Sequence, residues 1–288
     1  MGRYDTISFL TDYGTTDEFV GVCHSVIRSI APDVAVIDVT HQIPRHDVRA
    51  GGLALARSAQ YLAPGVVVAV VDPGVGTERR PIAVEVGDGA SVLVGPDNGL
   101  LAPAVALVGG ATAAVVLDQH EYHLPALGPT FDGRDLFSPV AAHLCNGVPL
   151  AAVGTPIDPA SLLPSVIPVS EGTADGVVGE VLWVDHFGNG QVNIDPADID
   201  GWGDRLRLVI DGDVRVIDRV RSFADIAPGG LGLLIDSYGM LAIAVDRGSA
   251  AAELGLDGGV ELRLEPVGDH EPDPGATSPV SLRARRES

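Results

Sequence analysis

"VVVAVVDPGVGTERRP", residues 66–81, places an uninterrupted apolar run directly before an aspartate, a proline, two glycines and two arginines. Such a run is typical of a strand buried in a parallel sheet that helices cover. Proline and glycine end the strand and favour a turn. The stretch therefore predicts a buried strand, with Asp72 at its carboxyl end and Arg79 shortly after it.

The surrounding sequence extends this strand into a layered α/β domain. "TISFLTD" predicts a first strand that ends at Asp12, and "VAVIDVTH" predicts a second strand that ends at His41. Helix-like segments follow both of them, and "PIAVEVG" with "SVLVGPD" predicts a hairpin. Ligands of mainly parallel sheets bind beyond the carboxyl ends of the strands. Because Asp12, His41 and Asp72 all lie at such ends, we expect a pocket there.

The second half of the chain has a different pattern. Short strand-like segments separated by Gly and Asp turns, with almost no helical periodicity, predict a small all-β, barrel-like domain. A Pro- and Ser-rich stretch precedes it, and a tail rich in Pro, Gly and charge follows it. The predicted organisation is an N-terminal α/β domain at 1–160, a linker at 161–177, a C-terminal β-barrel domain at 178–268 and a flexible tail at 269–288.

Composition excludes several classes of function. The formal net charge of −21 disfavours nucleic acid as a partner. The chain has no lysine, which removes Schiff-base chemistry and the P-loop. We find neither a membrane-spanning run nor a secretory leader, so we expect a cytoplasmic protein with no membrane partner. The two cysteines, Cys23 and Cys145, predict buried reduced thiols.

Six separated blocks resemble, in the same order, the S-adenosylmethionine hydroxide adenosyltransferases, relatives of the fluorinating and chlorinating enzymes. The likeness extends through both domains to about residue 266. The blocks are "FLTDYGTTDEF" at 9–19, "VVDPGVGTERRPI" at 70–82, "GPDNGLL" at 95–101, "TFDGRDLFSPVAAHL" at 130–144, "VDHFGNGQVNI" at 184–194 and "DSYGMLAIAV" at 236–245.

The resemblance implies a function and an assembly. Water would cleave S-adenosylmethionine into adenosine and L-methionine, with no cofactor and no metal. The protein would be a homotrimer with its sites between neighbouring subunits. The sulfonium is an excellent leaving group, so alignment of the nucleophile with C5′ should outweigh acid–base catalysis.

The resemblance also assigns catalytic residues. In the water-using branch an aspartate, an arginine and a histidine hold the attacking water, and Asp72 and Arg79 match the first two. This chain has Asp132 where the histidine is expected. Two carboxylates would share a proton or be balanced by Arg79 or Arg134. From the residues alone, Asp72 also fits a turn aspartate paired with a nearby arginine.

Substrate-binding residues are implied in both domains. Asp12 matches the position that binds the ribose hydroxyls, although its place before a helix also fits an N-cap. Asp185 matches a position that meets the methionine ammonium, and Asn189 one that reads the adenine edge, although "DHFGNG" also fits a tight turn. The complete predicted substrate-binding set is Asp12, Asp17, Phe131, Gly133, Asp185, Phe187, Asn189 and Ser237.

Other motifs and functions are weaker alternatives. "GVG" at 74–76 lacks the third glycine of a dinucleotide fingerprint, and the histidines of "HEYH" at 120–123 do not have the spacing of a zinc protease. His41, His46 and Asp47 fit either a metal site or loop residues bonded to backbone. A binding protein without turnover and a halide-using adenosyltransferase also remain open.

Overall fold

The computed structural model describes residues 3–166 and 168–267 of the chain. The chain divides into two compact units, which we call the first unit (Met1–Ile167) and the second unit (Pro168–Ser288). The division lies within the predicted linker, and the predicted flexible tail at 269–288 lies outside the described residues. Within the described ranges, no helix combines the length and the apolar character that crossing a membrane would require.

The first unit contains a seven-stranded sheet in the order β2-β1-β3-β5-β4-β6-β7. Strands β1, β2, β3 and β5 pair in parallel, whereas β4 pairs antiparallel with both β5 and β6. β4 and β5 form the predicted hairpin. The strands are β1 (Thr6–Thr11), β2 (Ala35–Thr40), β3 (Val66–Val70), β4 (Pro81–Val86), β5 (Ser91–Pro96), β6 (Ala111–Val116) and β7 (Thr155–Ile157).

Helices cover both faces of this sheet, because alternate side chains of each strand point to opposite faces and both faces are apolar. Val66, Val68 and Val70 of β3 belong to one core cluster with residues of α1 and α4. Val67 of the same strand faces Leu55 of α2 and Ala104 of α3 across a cavity. The helices are α1 (Phe19–Ile30), α2 (Val48–Ala59), α3 (Ala102–Leu107) and α4 (Ser138–Cys145).

A single π-helical turn, Gly133–Phe137, leads directly into α4. Such turns are rare and occur frequently at functional sites. Gly133 is buried, and a Cβ placed on it would overlap the hydroxyl oxygen of Tyr13 and lie 2.9 Å from Cζ of that ring. The close approach of Tyr13 therefore requires glycine at this position.

The second unit is a closed β-barrel. Strands β10, β14, β13, β12, β11, β15 and β9 pair in that order, and β9 pairs back with β10, so seven strands complete the ring. Closure removes the exposed edges that an open sheet would leave. The strands are β8 (Glu171–Gly172), β9 (Val177–Val184), β10 (Gly190–Val192), β11 (Arg205–Ile210), β12 (Asp213–Arg219), β13 (Leu231–Ile235), β14 (Leu241–Val245) and β15 (Glu261–Pro266).

This architecture confirms the predicted fold class, an α/β unit with a mainly parallel sheet followed by an all-β barrel. The barrel interior is filled by buried Val, Leu and Ile side chains, among them Val181, Leu208 and Ile243. The short helix α5 (Ala250–Leu254) lies in the half of the chain where the sequence shows almost no helical periodicity, and it was not expected. Ser249 caps it by accepting a hydrogen bond from the Ala252 amide at 3.0 Å.

Both cysteines should be inert in the native protein. Cys23 and Cys145 are fully buried and unpaired. Burial raises the pKa of the Cys23 thiol to about 11 and that of Cys145 to about 12. Since the thiolate is the reactive form, we expect no labelling by a chromogenic disulfide reagent at pH 8, and labelling of both thiols after denaturation. Rapid labelling of either native thiol would contradict this packing.

Gly133→Ala should lower the free energy of unfolding by about 1–3 kcal/mol, because the new methyl group overpacks against Tyr13. Chemical denaturation measures the change. Tyr13→Phe in the same background removes the nearest atom and should restore part of the loss. Gly21→Ala is the matched control, since a Cβ there meets nothing within 4 Å in an exposed part of α1. Equal effects of the two alanines would refute the steric explanation.

Candidate active site

A cavity of about 630 Å³ opens in the first unit, at the carboxyl ends of β1 and β3 and beside the π-helical turn. Its position matches the sheet edge expected to bind a ligand. Of the strand-end residues predicted to meet there, Asp12 and Asp72 line the cavity and His41 does not. The lining is Asp12, Tyr13, Asp17, Phe19, Arg45, His46, Val70, Asp72, Val75, Thr130, Phe131, Asp132, Gly133 and Arg134.

One wall of this cavity carries a three-residue ion cluster of Asp72, Arg79 and Asp132. Nε of Arg79 donates to both carboxylate oxygens of Asp72 at 3.0 and 2.9 Å. Nη2 of Arg79 donates to Oδ2 of Asp72 and to Oδ2 of Asp132. The guanidinium thus bridges the two carboxylates, and the cluster carries a formal charge of −1.

Local backbone geometry brings Arg79 back to Asp72. A turn begins where the Val75 amide donates to the Asp72 carbonyl at 3.2 Å, and the Thr77 amide donates to the Gly74 carbonyl at 3.1 Å. A Cβ on Gly74 would lie 3.3 Å from Cγ of Arg79, so the glycine leaves room for that side chain. The seven-residue spacing from Asp72 to Arg79 is therefore set by this glycine-containing turn.

Burial distinguishes the cluster from a surface ion pair. The side chains of Asp72 and Arg79 are 5% and 11% exposed, and that of Asp132 is 20% exposed. Burial alone would lower the pKa of Arg79, but hydrogen bonds and charge from Asp72 and then Asp132 raise it above its ordinary value. Arg79 stays charged, and its Cζ lies over the Phe137 ring, 5.4 Å from the ring centre.

Arg134 does not balance Asp132. It donates to Asp135 instead, with Nε of Arg134 2.6 Å from Oδ1 and Nη2 2.8 Å from Oδ2. Of the two arginines considered from the sequence, Arg79 is the partner of Asp132.

Asp12 is not the N-cap of α1. Glu18 occupies the N-cap position and makes no side-chain capping bond. Asp12 instead accepts the His46 amide at 2.9 Å, and His46 has a positive φ of 65°. The capping alternative is therefore wrong, because the six residues 13–18 separate Asp12 from the start of the helix at Phe19. Asp17 lies in that loop, exposed, and lines the cavity.

An aromatic cluster of Tyr13, Phe19 and Phe131 forms an apolar wall of the cavity. The ring centres are 5.2 to 5.9 Å apart, and each pair packs edge to face. Only Phe131 was predicted from the sequence as a site residue. The available signal for the other two was their place in the block at 9–19, but contact with Phe131 depends on the tertiary fold.

Four predicted residues, Asp185, Phe187, Asn189 and Ser237, lie in the second unit. Oδ1 of Asp185 accepts the amides of Phe187 at 2.8 Å and of Asn189 at 2.9 Å, and its Oδ2 accepts Nδ2 of Asn189 at 2.8 Å. The tight-turn interpretation thus describes this loop. The turn leaves the ring of Phe187 75% exposed.

Ser237 is exposed in a second turn of the same kind. Its neighbour Asp236 accepts the Tyr238 amide at 2.8 Å and the Met240 amide at 3.0 Å with Oδ1. Oδ2 of Asp236 accepts Nε2 of Gln191, which lies on β10. Asp236 was not singled out from the sequence, although it fixes the turn that carries Ser237.

Comparison with known proteins gives matches over both units. Residues 7–154 match the model of the SAM hydroxide adenosyltransferase N-terminal domain, and residues 179–263 match that of the C-terminal domain.

Three relatives span nearly the same length. An (R)-S-adenosyl-L-methionine hydrolase of Salinispora tropica is 46% identical, covering 90% of this chain and 97% of that protein. A fluorinase of Nocardia brasiliensis is 27% identical, covering 92% and 98%. The crystal structure of an uncharacterized conserved protein from Thermotoga maritima superposes with a TM-score of 0.82 and 33% identity, covering 90% and 99%. The chain belongs to the SAM hydroxide adenosyltransferase family.

Proposed function

We propose that this protein hydrolyses S-adenosyl-L-methionine to adenosine and L-methionine through in-line attack of water on C5′. The C5′–O bond forms as the C5′–S bond breaks, the electron pair leaves on sulfur as the neutral thioether of methionine, and the water gives one proton to a carboxylate of Asp72 or Asp132, which releases it to solvent. The observation that carries the proposal is the cluster of Asp72, Arg79 and Asp132 on one wall of the cavity. The 46% identity to a protein named as such a hydrolase supports it.

The roles within the cluster follow from hydrogen-bonding capacity. Each carboxylate has about four lone-pair sites, and Arg79 uses only some of them. Asp72 and Asp132 therefore retain acceptor sites for both hydrogens of a water molecule. Arg79 fixes the two carboxylates and offsets their repulsion. Orientation of the nucleophile is the main contribution, since a well-aligned group can remove several kcal/mol from a barrier.

The charge of the cluster favours water over halide as the nucleophile. Two like charges about 4 Å apart repel by about 4 kcal/mol at an effective dielectric constant near 20. A halide beside Asp72 and Asp132 would meet two such carboxylates and one guanidinium. Neutral water meets no such penalty and gains two charged acceptors.

Substrate binding is assigned to residues of both units. Asp12, Asp17, Phe131 and Gly133 line the cavity in the first unit and would hold the nucleoside. In the second unit, Asp185, Phe187, Asn189 and Ser237 would contact the rest of the substrate. A homotrimer with sites at subunit interfaces and the absence of any cofactor belong to the same proposal and rest on the family resemblance. A cytoplasmic location also belongs to the proposal and is an expectation from the sequence.

The sulfonium configuration is part of the proposal. The hydrolase relatives carry names that specify the (R) epimer at sulfur. We therefore expect this chain to consume (R)-S-adenosyl-L-methionine faster than the (S) epimer. The predicted reaction is otherwise that inferred from the sequence, which did not specify the epimer.

The deciding experiment uses an epimer mixture in water enriched in ¹⁸O. The products should be methionine and adenosine with one ¹⁸O at the 5′ oxygen, and chromatography should show loss of the (R) epimer first. Adenosine without the label would contradict attack of water on C5′. Binding without any product would indicate a binding protein. A 5′-chloro nucleoside formed on addition of chloride would indicate a halide-using enzyme.

Asp72→Asn should reduce turnover at least about 100-fold while changing substrate affinity less than about tenfold, because Asp72 orients water and does not bind the substrate. Single-turnover rates and calorimetric binding measure the two quantities. Asp97→Asn is the matched control. Asp97 is 3% exposed on its side chain, pairs with Arg80 and does not line this cavity. A tenfold or greater loss of affinity in Asp72→Asn would make Asp72 a substrate ligand.

Asp132→His should retain or raise turnover, because it restores the histidine of the water-using branch while Arg79 and Asp72 stay in place. Asp132→Ala should lower turnover, because it removes one acceptor for the water. Steady-state rates of the two variants test this difference. If Asp132→His is inactive and Asp132→Ala is not, Asp132 does not share the role of that histidine.

A further inference from the structure

A second group of chemically versatile side chains lies outside the cavity lining. His24 of α1, Asp38 of β2 and His41 just after β2 each offer one ligand atom, and the three atoms lie within 4.8 Å of one another. β2 is the edge strand of its sheet, so the group faces solvent on one side. None of the three residues lines the cavity assigned to the substrate.

The two imidazoles converge on one carboxylate oxygen. Nε2 of His24 lies 2.8 Å from Oδ1 of Asp38, and Nε2 of His41 lies 3.0 Å from the same oxygen. His41 is only 5% exposed on its side chain, and its Nε2 has no hydrogen-bond partner despite this short distance. Burying a ring nitrogen without a hydrogen-bond partner costs free energy, and a ligand bound to that nitrogen removes the cost.

The environment of His41 orients this nitrogen. Nδ1 of His41 lies 2.8 Å from Oγ1 of Thr11, and the ring packs edge to face on Phe9 with centres 5.0 Å apart. When Nδ1 donates to Thr11, the lone pair of Nε2 points toward the Asp38 carboxylate, an arrangement that a cation between them stabilises. Metal-binding histidines typically have their second nitrogen held in this way.

We propose that His24, Asp38 and His41 bind a divalent transition-metal ion, with Zn²⁺ as the best fit. Two imidazoles and one carboxylate are ligands that zinc prefers, and they leave a fourth position for water. Tetrahedral zinc places ligand atoms about 3.3 Å apart. The two separations between imidazole nitrogen and carboxylate oxygen, 2.8 and 3.0 Å, need to widen by only a few tenths of an ångström, and the two imidazole nitrogens lie within 4.8 Å of each other. The ion would link α1 to the edge strand and to the loop after it.

Charge supports the same site. The Asp38 side chain is 43% exposed, and one of its carboxylate oxygens lies within 3.0 Å of both imidazoles, so Asp38 supplies the negative charge that a cation requires. The proposed ion takes no part in the hydrolysis proposed above, and its binding can be tested without substrate.

The test uses the full-length protein, stripped of metal with a chelator and titrated with Zn²⁺ against a chromogenic competitor. We expect one Zn²⁺ per chain. His24→Ala and Asp38→Asn should each weaken binding at least about tenfold, and so should Thr11→Val, which removes the contact to Nδ1. Co²⁺ should give the intense visible bands of a four-coordinate site, and His24→Ala should abolish them.

His120→Ala is the matched control. His120 and His123 form another histidine pair, with ring centres 5.3 Å apart, and offer the ion an alternative pair of imidazoles. Wild-type affinity in His120→Ala is expected. No stoichiometric binding, equal affinity in His24→Ala and the wild type, or loss of binding in His120→Ala would each overturn the proposal. His24 is 35% exposed on its side chain, so its variant remains informative if that of buried His41 does not fold.

Discussion

The guanidinium of Arg79, held between Asp72 and Asp132, is the interaction on which the candidate site depends. Two carboxylates this close, and this far from solvent, would repel each other strongly without a cation between them. Removing Arg79 would leave two buried carboxylates without a compensating charge, and breaking a buried ion pair in this way is strongly destabilising. The cluster therefore fixes both the charge of the cavity wall and the direction of its free lone pairs.

The fold supplies the cluster from two distant parts of the chain. Asp72 and Arg79 come from the turn after β3, and Asp132 comes from the residue before the π-helical turn. A regular helical start at that point would orient the backbone differently. Gly133, which allows Tyr13 to pack against the turn, couples this backbone to the loop after β1. The ion cluster and the aromatic wall thus share one structural support.

The sequence predicted most of the fold because its signals are local. The valine-rich strand, the hairpin and the turn residues of the barrel each follow from patterns a few residues long. Two interpretations of Asp72 were left open, a member of a water-holding cluster and a turn aspartate paired with an arginine, and both include the contact with Arg79 that the structure shows.

Features that depend on distant contacts could not be read from the sequence. The edge-to-face packing of Tyr13 on Phe131 joins residues more than a hundred positions apart, and the convergence of His24 and His41 on Asp38 requires the register of β2 on β1. The sequence left the role of Asp12 ambiguous, since a helix N-cap residue and a pocket residue at the end of a strand have the same local sequence pattern. Its bond to the His46 amide is set by tertiary structure alone.

The chemistry available to this cavity follows from the kind of base that a carboxylate is. An unperturbed aspartate titrates near pH 3.9, so it is a weak proton acceptor toward water. A reaction with a poor leaving group would require a stronger base or a metal-bound hydroxide. A sulfonium leaves as a neutral thioether, and a water aligned with the carbon is then sufficient. An ion cluster that orients water therefore suits a substrate that already carries its own positive leaving group, and it would serve few others.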